Sequence, residues 1–143
     1  MPSPKKGPTP ATLKRLEACA WEVMERAYNP YSKFGVGAAI LTEDGIVFSG
    51  CNVENAAYGH SICAERVALV KAVSEGYRTF AAILIVCSSG KPVAPCGACR
   101  QTLNEFAPDL RVIMAGRARK VTVSLRKLLP KSFGPEDLPD KPD

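Results

Sequence analysis

Two short stretches hold the residue types that do chemistry: Cys63-Ala64-Glu65-Arg66 and Pro95-Cys96-Gly97-Ala98-Cys99-Arg100-Gln101. Together they offer three thiols and a carboxylate. Three protein ligands leave the fourth position of a tetrahedral zinc ion open for water, whereas a structural zinc site fills all four. Cys96 and Cys99 are close enough in sequence to reach one ion from a single turn. A lone Cys-x-x-Cys also fits redox or structural use. The added Cys63, with Glu65 beside it, favours a metal that makes and uses hydroxide. Zinc can bring bound water to a pKa of ~7, and a positioned carboxylate adds ~10²–10⁴ in rate by carrying protons. Glu65 is read as that proton shuttle; as a fourth ligand it would close the site. His60, the single histidine, would block the same position and is read as a loop or interface residue.

Three thiolates on a divalent ion leave a net negative site, which weakens the pull on water. Arg66 and Arg100, each close in sequence to a ligand, are candidates to offset this by hydrogen bonding to the sulfurs, since groups behind the ligands tune a metal much as the ligands do. Cys19, Cys51 and Cys87 lack such partners and read as buried small apolar residues.

The elements that must position these groups follow from pattern. Thr9-Pro10 starts a helix, with Thr9 as cap and Pro10 at the first helical position. Leu13, Leu16, Ala20, Val23 and Ala27 form its apolar stripe, and Asn29-Pro30 stops it. Segments 35–41 and 46–51 flank an Asp44-Gly45 turn and form a hairpin. After a loop over 52–62, Ser61 is the expected cap of a helix over 63–75, stopped by Gly76. The continuous apolar run 81–87 reads as a strand buried on both faces. A helix over 97–106, strands at 111–115 and 121–123, and a short helix from Ser124 through Leu129 complete the order. Cys63 and Cys96 then sit at helix N-termini, where free N–H groups favour thiolate. Strand–helix–strand units imply parallel pairing, with helices on both faces of the sheet.

Length and composition bound the rest. A chain of 143 residues, 46% hydrophobic, suits one domain with a real core. That domain is expected over residues 10–138, with a disordered N-terminal tail at 1–9 and a C-terminal tail at 139–143. No apolar run is long enough to span a membrane. The polar, proline-rich start lacks a signal-peptide core, so a cytoplasmic protein with reduced thiols is expected. The net charge of +5 is uneven, with seven basic residues and no acidic one from Arg111 to Lys131. No aromatic residues interleave with them as a strand-binding groove requires. The stretch reads as a solvated face or an oligomer contact, with no nucleic-acid partner.

The two motifs resemble those of the zinc-dependent cytidine deaminases. The likeness extends through Pro30-Tyr31-Ser32-Lys33-Phe34, Val36-Gly37-Ala38-Ala39, the segment from Gly50 to Gly59, Lys71 to Gly76, Leu128-Leu129-Pro130 and Phe133-Gly134-Pro135, about residues 12 to 138 in all. Cysteine at position 63 resembles the homotetrameric, three-cysteine branch. The resemblance implies a three-layer α/β/α sandwich around a five-stranded mixed sheet, one Zn²⁺ per chain, and a role in pyrimidine salvage. The implied reaction is hydrolysis of cytidine and 2'-deoxycytidine to uridine and 2'-deoxyuridine plus ammonia, by zinc-bound hydroxide with Glu65 as proton shuttle. It implies that Phe34 stacks on the pyrimidine and that Asn52 and Glu54 hold the ribose hydroxyl. The Ala64 N–H would meet the base carbonyl, and the backbone near Ala94 the amino group. Ala56, Tyr58 and Phe133 would complete a neighbour's active site, shared across the tetramer.

Overall fold

The computed structural model describes residues 7–140. The expected tails therefore lie partly outside the described residues. Helix α1 runs Pro10–Met24, with Pro10 in its first turn and the Thr9 hydroxyl accepting the Thr12 N–H. It ends five residues before Asn29-Pro30. The N–H groups of Arg26 and Ala27 close short bonds to Val23 and Met24, and Tyr28 turns away to bridge Val53. Ala27 is thus outside the helix, and the buried stripe is Leu16, Ala20 and Val23.

Strands β1 (Val36–Thr42) and β2 (Val47–Cys51) form the expected hairpin. Its turn uses Gly45 at φ 89°, a left-handed conformation suited to glycine. Helix α2 (Ala64–Ser74) is capped by Cys63 and not by Ser61, whose hydroxyl instead accepts the Asn55 N–H. Gly76, at φ 98°, follows its end. Strand β3 (Phe80–Cys87), helix α3 (Gly97–Phe106), strands β4 (Arg111–Ala115) and β5 (Lys120–Ser124), and helix α4 (Leu125–Leu128) complete the order. Short 3-10 turns at Tyr58–His60 and Pro135–Asp137 were not expected from the pattern.

The sheet order is β2-β1-β3-β4-β5. Only β3 and β4, joined through α3, pair in parallel. The other strand–helix–strand unit, β2–α2–β3, does not make a parallel pair, because β1 lies between its strands and runs antiparallel to both. The result is a mixed sheet. Helix α1 covers one face through Leu16 and Ala20 on Leu41, Leu84 and Ile113. Helices α2, α3 and α4 cover the other through Leu69, Leu103 and Leu125 on Ile40, Ile83 and Val112. Each of these leucine, isoleucine and valine side chains, when fully buried, contributes about 1.5–3 kcal/mol.

Two glycines set how closely helices approach the sheet. A Cβ on Gly37 would lie 2.1 Å from the Ala20 carbonyl of α1. A Cβ on Gly50 would lie 2.5 Å from the Ala68 nitrogen and 2.9 Å from the Ala64 carbonyl. The first turns of α2, which carry the chemistry, therefore rest directly on β2.

Candidate active site

The two motifs meet where α2 and α3 begin. Cys63 caps α2, Cys96 caps α3, and Cys99 lies in the first turn of α3. Neither cap side chain is used to satisfy its helix, so both sulfurs are free to face one point. Cys63 and Cys96 sulfurs are 3.7 Å apart, Cys96 and Cys99 3.4 Å, and all three lie within 4.8 Å of one another. Zinc–sulfur bonds of about 2.3 Å in a tetrahedron put sulfurs about 3.8 Å apart. The donor set and spacing fit zinc, with one position left over. His60 is exposed and belongs to no metal cluster among the described residues.

The electrostatics suit a cation. Hydrogen bonding with Cys99, helped by Arg66 and Cys96, lowers the Cys63 thiol to about 5. The same contact pushes Cys99 up, so it holds the proton that a metal would displace. Arg66 Nη2 donates to Cys63 Sγ at 3.8 Å and to the Ser61 carbonyl at 3.4 Å. Arg100 does not follow its neighbour. Its Nε donates to the Pro95 carbonyl and its Nη1 to the Leu128 carbonyl, both at 2.8 Å. It holds the turn leading into Cys96 and ties α3 to α4; it is not bonded to a sulfur.

Glu65 is 4% exposed at the start of α2, and burial raises its pKa above the usual carboxylate value. Its side chain lines a cleft of about 310 Å³ together with Cys63, Cys96, Phe34, Asn52 and Glu54. Ala94 lines it too, with Ser32, Val36, Ile85 and Val93, which the sequence did not single out. Ser32 lay inside a motif already noted, and its hydroxyl was the available signal. Ala64 is buried at the N-terminus of α2.

Asn52 and Glu54 both border the cleft, yet each also has work within the chain. Asn52 donates to the Phe34 carbonyl at 2.8 Å and accepts the Val36 N–H at 2.9 Å. One amide hydrogen remains for a ligand. Glu54 accepts the Tyr31 and Ser32 N–H groups at 3.0 and 3.1 Å, and the Ser32 hydroxyl. The hydroxyl contact, first among these, lowers its pKa. Ala56, Tyr58 and Phe133 do not line this cleft. Tyr58 is 73% exposed beside a second hollow shared with Ser32 and Glu54, and Phe133 is 58% exposed. Of the three remaining cysteines, Cys87 is buried as expected, while Cys19 and Cys51 are half-buried.

The description "Cytidine and deoxycytidylate deaminase zinc-binding region" defines a family whose model matches residues 10–115. The chain belongs to this family. It is 48% identical over 130 residues to a cytidine deaminase of Sporosarcina psychrophila, covering 88% of this chain and 94% of that one. It is 50% identical over 125 residues to a cytidine deaminase of Halalkalibacterium halodurans, covering 85% and 93%. The crystal structure of cytidine deaminase from Burkholderia pseudomallei superposes with a TM-score of 0.81 at 48% identity, covering 84% of this chain and 98% of that chain. The five-stranded mixed sheet with helices on both faces is thus a shared architecture, and the three-cysteine cluster occupies the family's zinc-binding region.

Proposed function

We propose that the chain is a zinc-dependent cytidine deaminase converting cytidine and 2'-deoxycytidine, with water, to uridine and 2'-deoxyuridine plus ammonia. The observation that carries this reading is the meeting of three thiols and a buried carboxylate, of which Cys63, Cys96 and Glu65 line a cleft that Phe34, Asn52 and Glu54 also border. Cys63, Cys96 and Cys99 would hold the zinc, which when bound would supply an acidified water for attack on C4 of the base. Glu65 takes the proton from that water and delivers it to ring N3. It then carries the proton of the new C4 hydroxyl to the amino group, and the C4–N bond breaks to release ammonia and leave the carbonyl. Its burial, which favours the neutral form, suits a group that must hold a proton between these steps. Phe34 stacks on the ring, and Asn52 and Glu54 take the ribose hydroxyl. The Ala64 N–H, free at a helix start, meets the base carbonyl, and the backbone near Ala94 takes the amino group.

The described residues lining the cleft and the adjoining hollow include Glu54 and Glu65 and neither lysine nor arginine. A phosphate would meet carboxylates there. This favours a free nucleoside over a nucleotide within a family whose description covers both. The reading extends to the assembly: a homotetramer in which Ala56, Tyr58 and Phe133 complete neighbouring sites. Tyr58 and Phe133 are large side chains, 73% and 58% exposed, and so available to a neighbouring copy. Residues 10–138 act as one domain, in the cytoplasm, where the six free cysteines stay reduced. No helix among the described residues is long and apolar enough to cross a membrane.

Zinc-loaded protein should release ammonia from cytidine and deoxycytidine and shift their ultraviolet absorbance, with cytidine 5'-monophosphate a much poorer substrate. No turnover of either nucleoside overturns the reading.

A further inference from the structure

We propose that Ser32 is a positioning residue for nucleoside recognition, its hydroxyl joining the Glu54 carboxylate and the Phe34 backbone into one unit at the edge of the cleft. This rests on the function proposed above, in which Phe34 and Glu54 meet the substrate.

The geometry is a short relay. Ser32 Oγ donates to one oxygen of Glu54 and accepts the Phe34 N–H at 3.0 Å. The other Glu54 oxygen accepts the Ser32 and Tyr31 N–H groups. Between Ser32 and Phe34, Lys33 adopts φ 60°, the left-handed region that residues with a side chain enter at a cost. That turn folds the chain so that the Ser32 hydroxyl reaches the N–H two residues on. Beyond it, Asn52 holds the Phe34 carbonyl and the Val36 N–H, and the Ser88 hydroxyl accepts the Gly35 N–H at 3.0 Å. Phe34 is therefore fixed on its C-terminal side by Asn52 and Ser88, and on its N-terminal side by Ser32.

The two ends of the relay have different duties. Glu54 is a carboxylate that accepts only, and its free lone pairs are aimed by the donors that hold it. Phe34 presents a ring, 38% exposed, whose angle follows from its backbone. Removing the hydroxyl takes from Glu54 one of its three donors and leaves the Phe34 N–H only the Asn29 amide oxygen, at 3.2 Å, so both substrate contacts loosen together. Ser32 touches no group that changes protonation in the reaction, so the effect falls on binding.

The test is steady-state kinetics on cytidine with Ser32→Ala, Ser32→Thr, Glu54→Gln and the Ser32→Ala/Glu54→Gln double variant, alongside thermal melting. Ser32→Ala should raise KM about 10- to 100-fold, the scale of a lost hydrogen bond to a charged group, with kcat within about threefold. Ser32→Thr, which keeps the hydroxyl, should restore KM to within about threefold. The double variant should be no more than about threefold worse than Glu54→Gln alone, because the residues act through one another. An unchanged KM, additive penalties, failure of threonine to rescue, or a fall in kcat that tracks a lower melting temperature overturns the proposal. Wild-type protein that fails to turn over cytidine instead overturns the functional reading on which it rests.

Discussion

The metal end and the recognition end of the cleft are built in opposite ways. At the metal end, two helices start side by side, Cys99 is fully buried and Glu65 nearly so, and α2 lies against β2 with no room for a methyl group at Gly50. The three thiols and Glu65 all come from one chain. At the recognition end, loop residues hold one another through side-chain-to-backbone hydrogen bonds, and Tyr58 and Phe133 stand exposed. The difference separates two tasks. Making a nucleophile requires sulfurs held to a few tenths of an ångström, which helix starts pressed on a sheet provide. Closing over a nucleoside requires a surface, and loop residues with exposed large side chains supply one.

The strongest way to break the comparison is to remove one ligand. Cys99→Ala should bind no zinc at one equivalent and show only background turnover, measured by metal analysis and ammonia release. In wild-type protein, zinc uptake at neutral pH should release at least the Cys99 proton, because that thiol is pushed up in the metal-free site. Affinity should therefore weaken as pH falls, a sign that calorimetry in buffers of different ionisation enthalpy reads directly.

A paired substitution separates fold from site. Gly37→Ala and Gly50→Ala both force a helix off the sheet, and each should cost about 1–3 kcal/mol in denaturant unfolding. Only Gly50→Ala moves the helix that carries Cys63 and Glu65, so only it should also lower kcat. Equal effects on kcat would mean that α2 does not set the metal geometry independently.

At the recognition end, Phe133→Ala should raise KM about tenfold and shift the sedimentation of the proposed tetramer toward smaller species, with zinc content unchanged. The smallest effect belongs to the basic stretch. Arg117 stacks on Trp21 with its guanidinium carbon 3.6 Å from the ring centre. Lys120 pairs with Glu17 and Arg126 with Asp109. Arg117→Ala should cost about 0.5–1 kcal/mol of stability and leave kinetics on cytidine unaltered, as a face tied to α1 and away from the cleft implies.

The same contrast explains what could be read from the chain beforehand. The metal end was legible because its information is local: three cysteines and a glutamate at helix starts that turn residues and apolar periodicity mark. The capping position of Cys63 is hidden in the sequence, since a serine two residues earlier is the stronger cap by type, and only the fold shows that serine engaged with Asn55. The early end of α1 was hidden because it depends on Tyr28 pairing with Val53, a contact between distant segments. Arg100 looked like a partner for sulfur by adjacency, yet one residue along a helix rotates a side chain by about 100°, and it turns to Pro95 and Leu128. The single parallel strand pair was equally invisible, because local pattern does not say that β1 lies between β2 and β3. Phe34, Asn52 and Glu54 are legible only through resemblance, and Ser32 is not legible at all, because its contacts form only when loop and strand end are brought together.

The most direct test of the central claim, that one chain carries a complete hydroxide-generating site with Glu65 as its proton carrier, is turnover of cytidine by Glu65→Gln at a measured zinc content. The account predicts one zinc per chain, as in wild type, with kcat lower by about 10²–10⁴. A variant that keeps its zinc and deaminates cytidine at near the wild-type rate would contradict it.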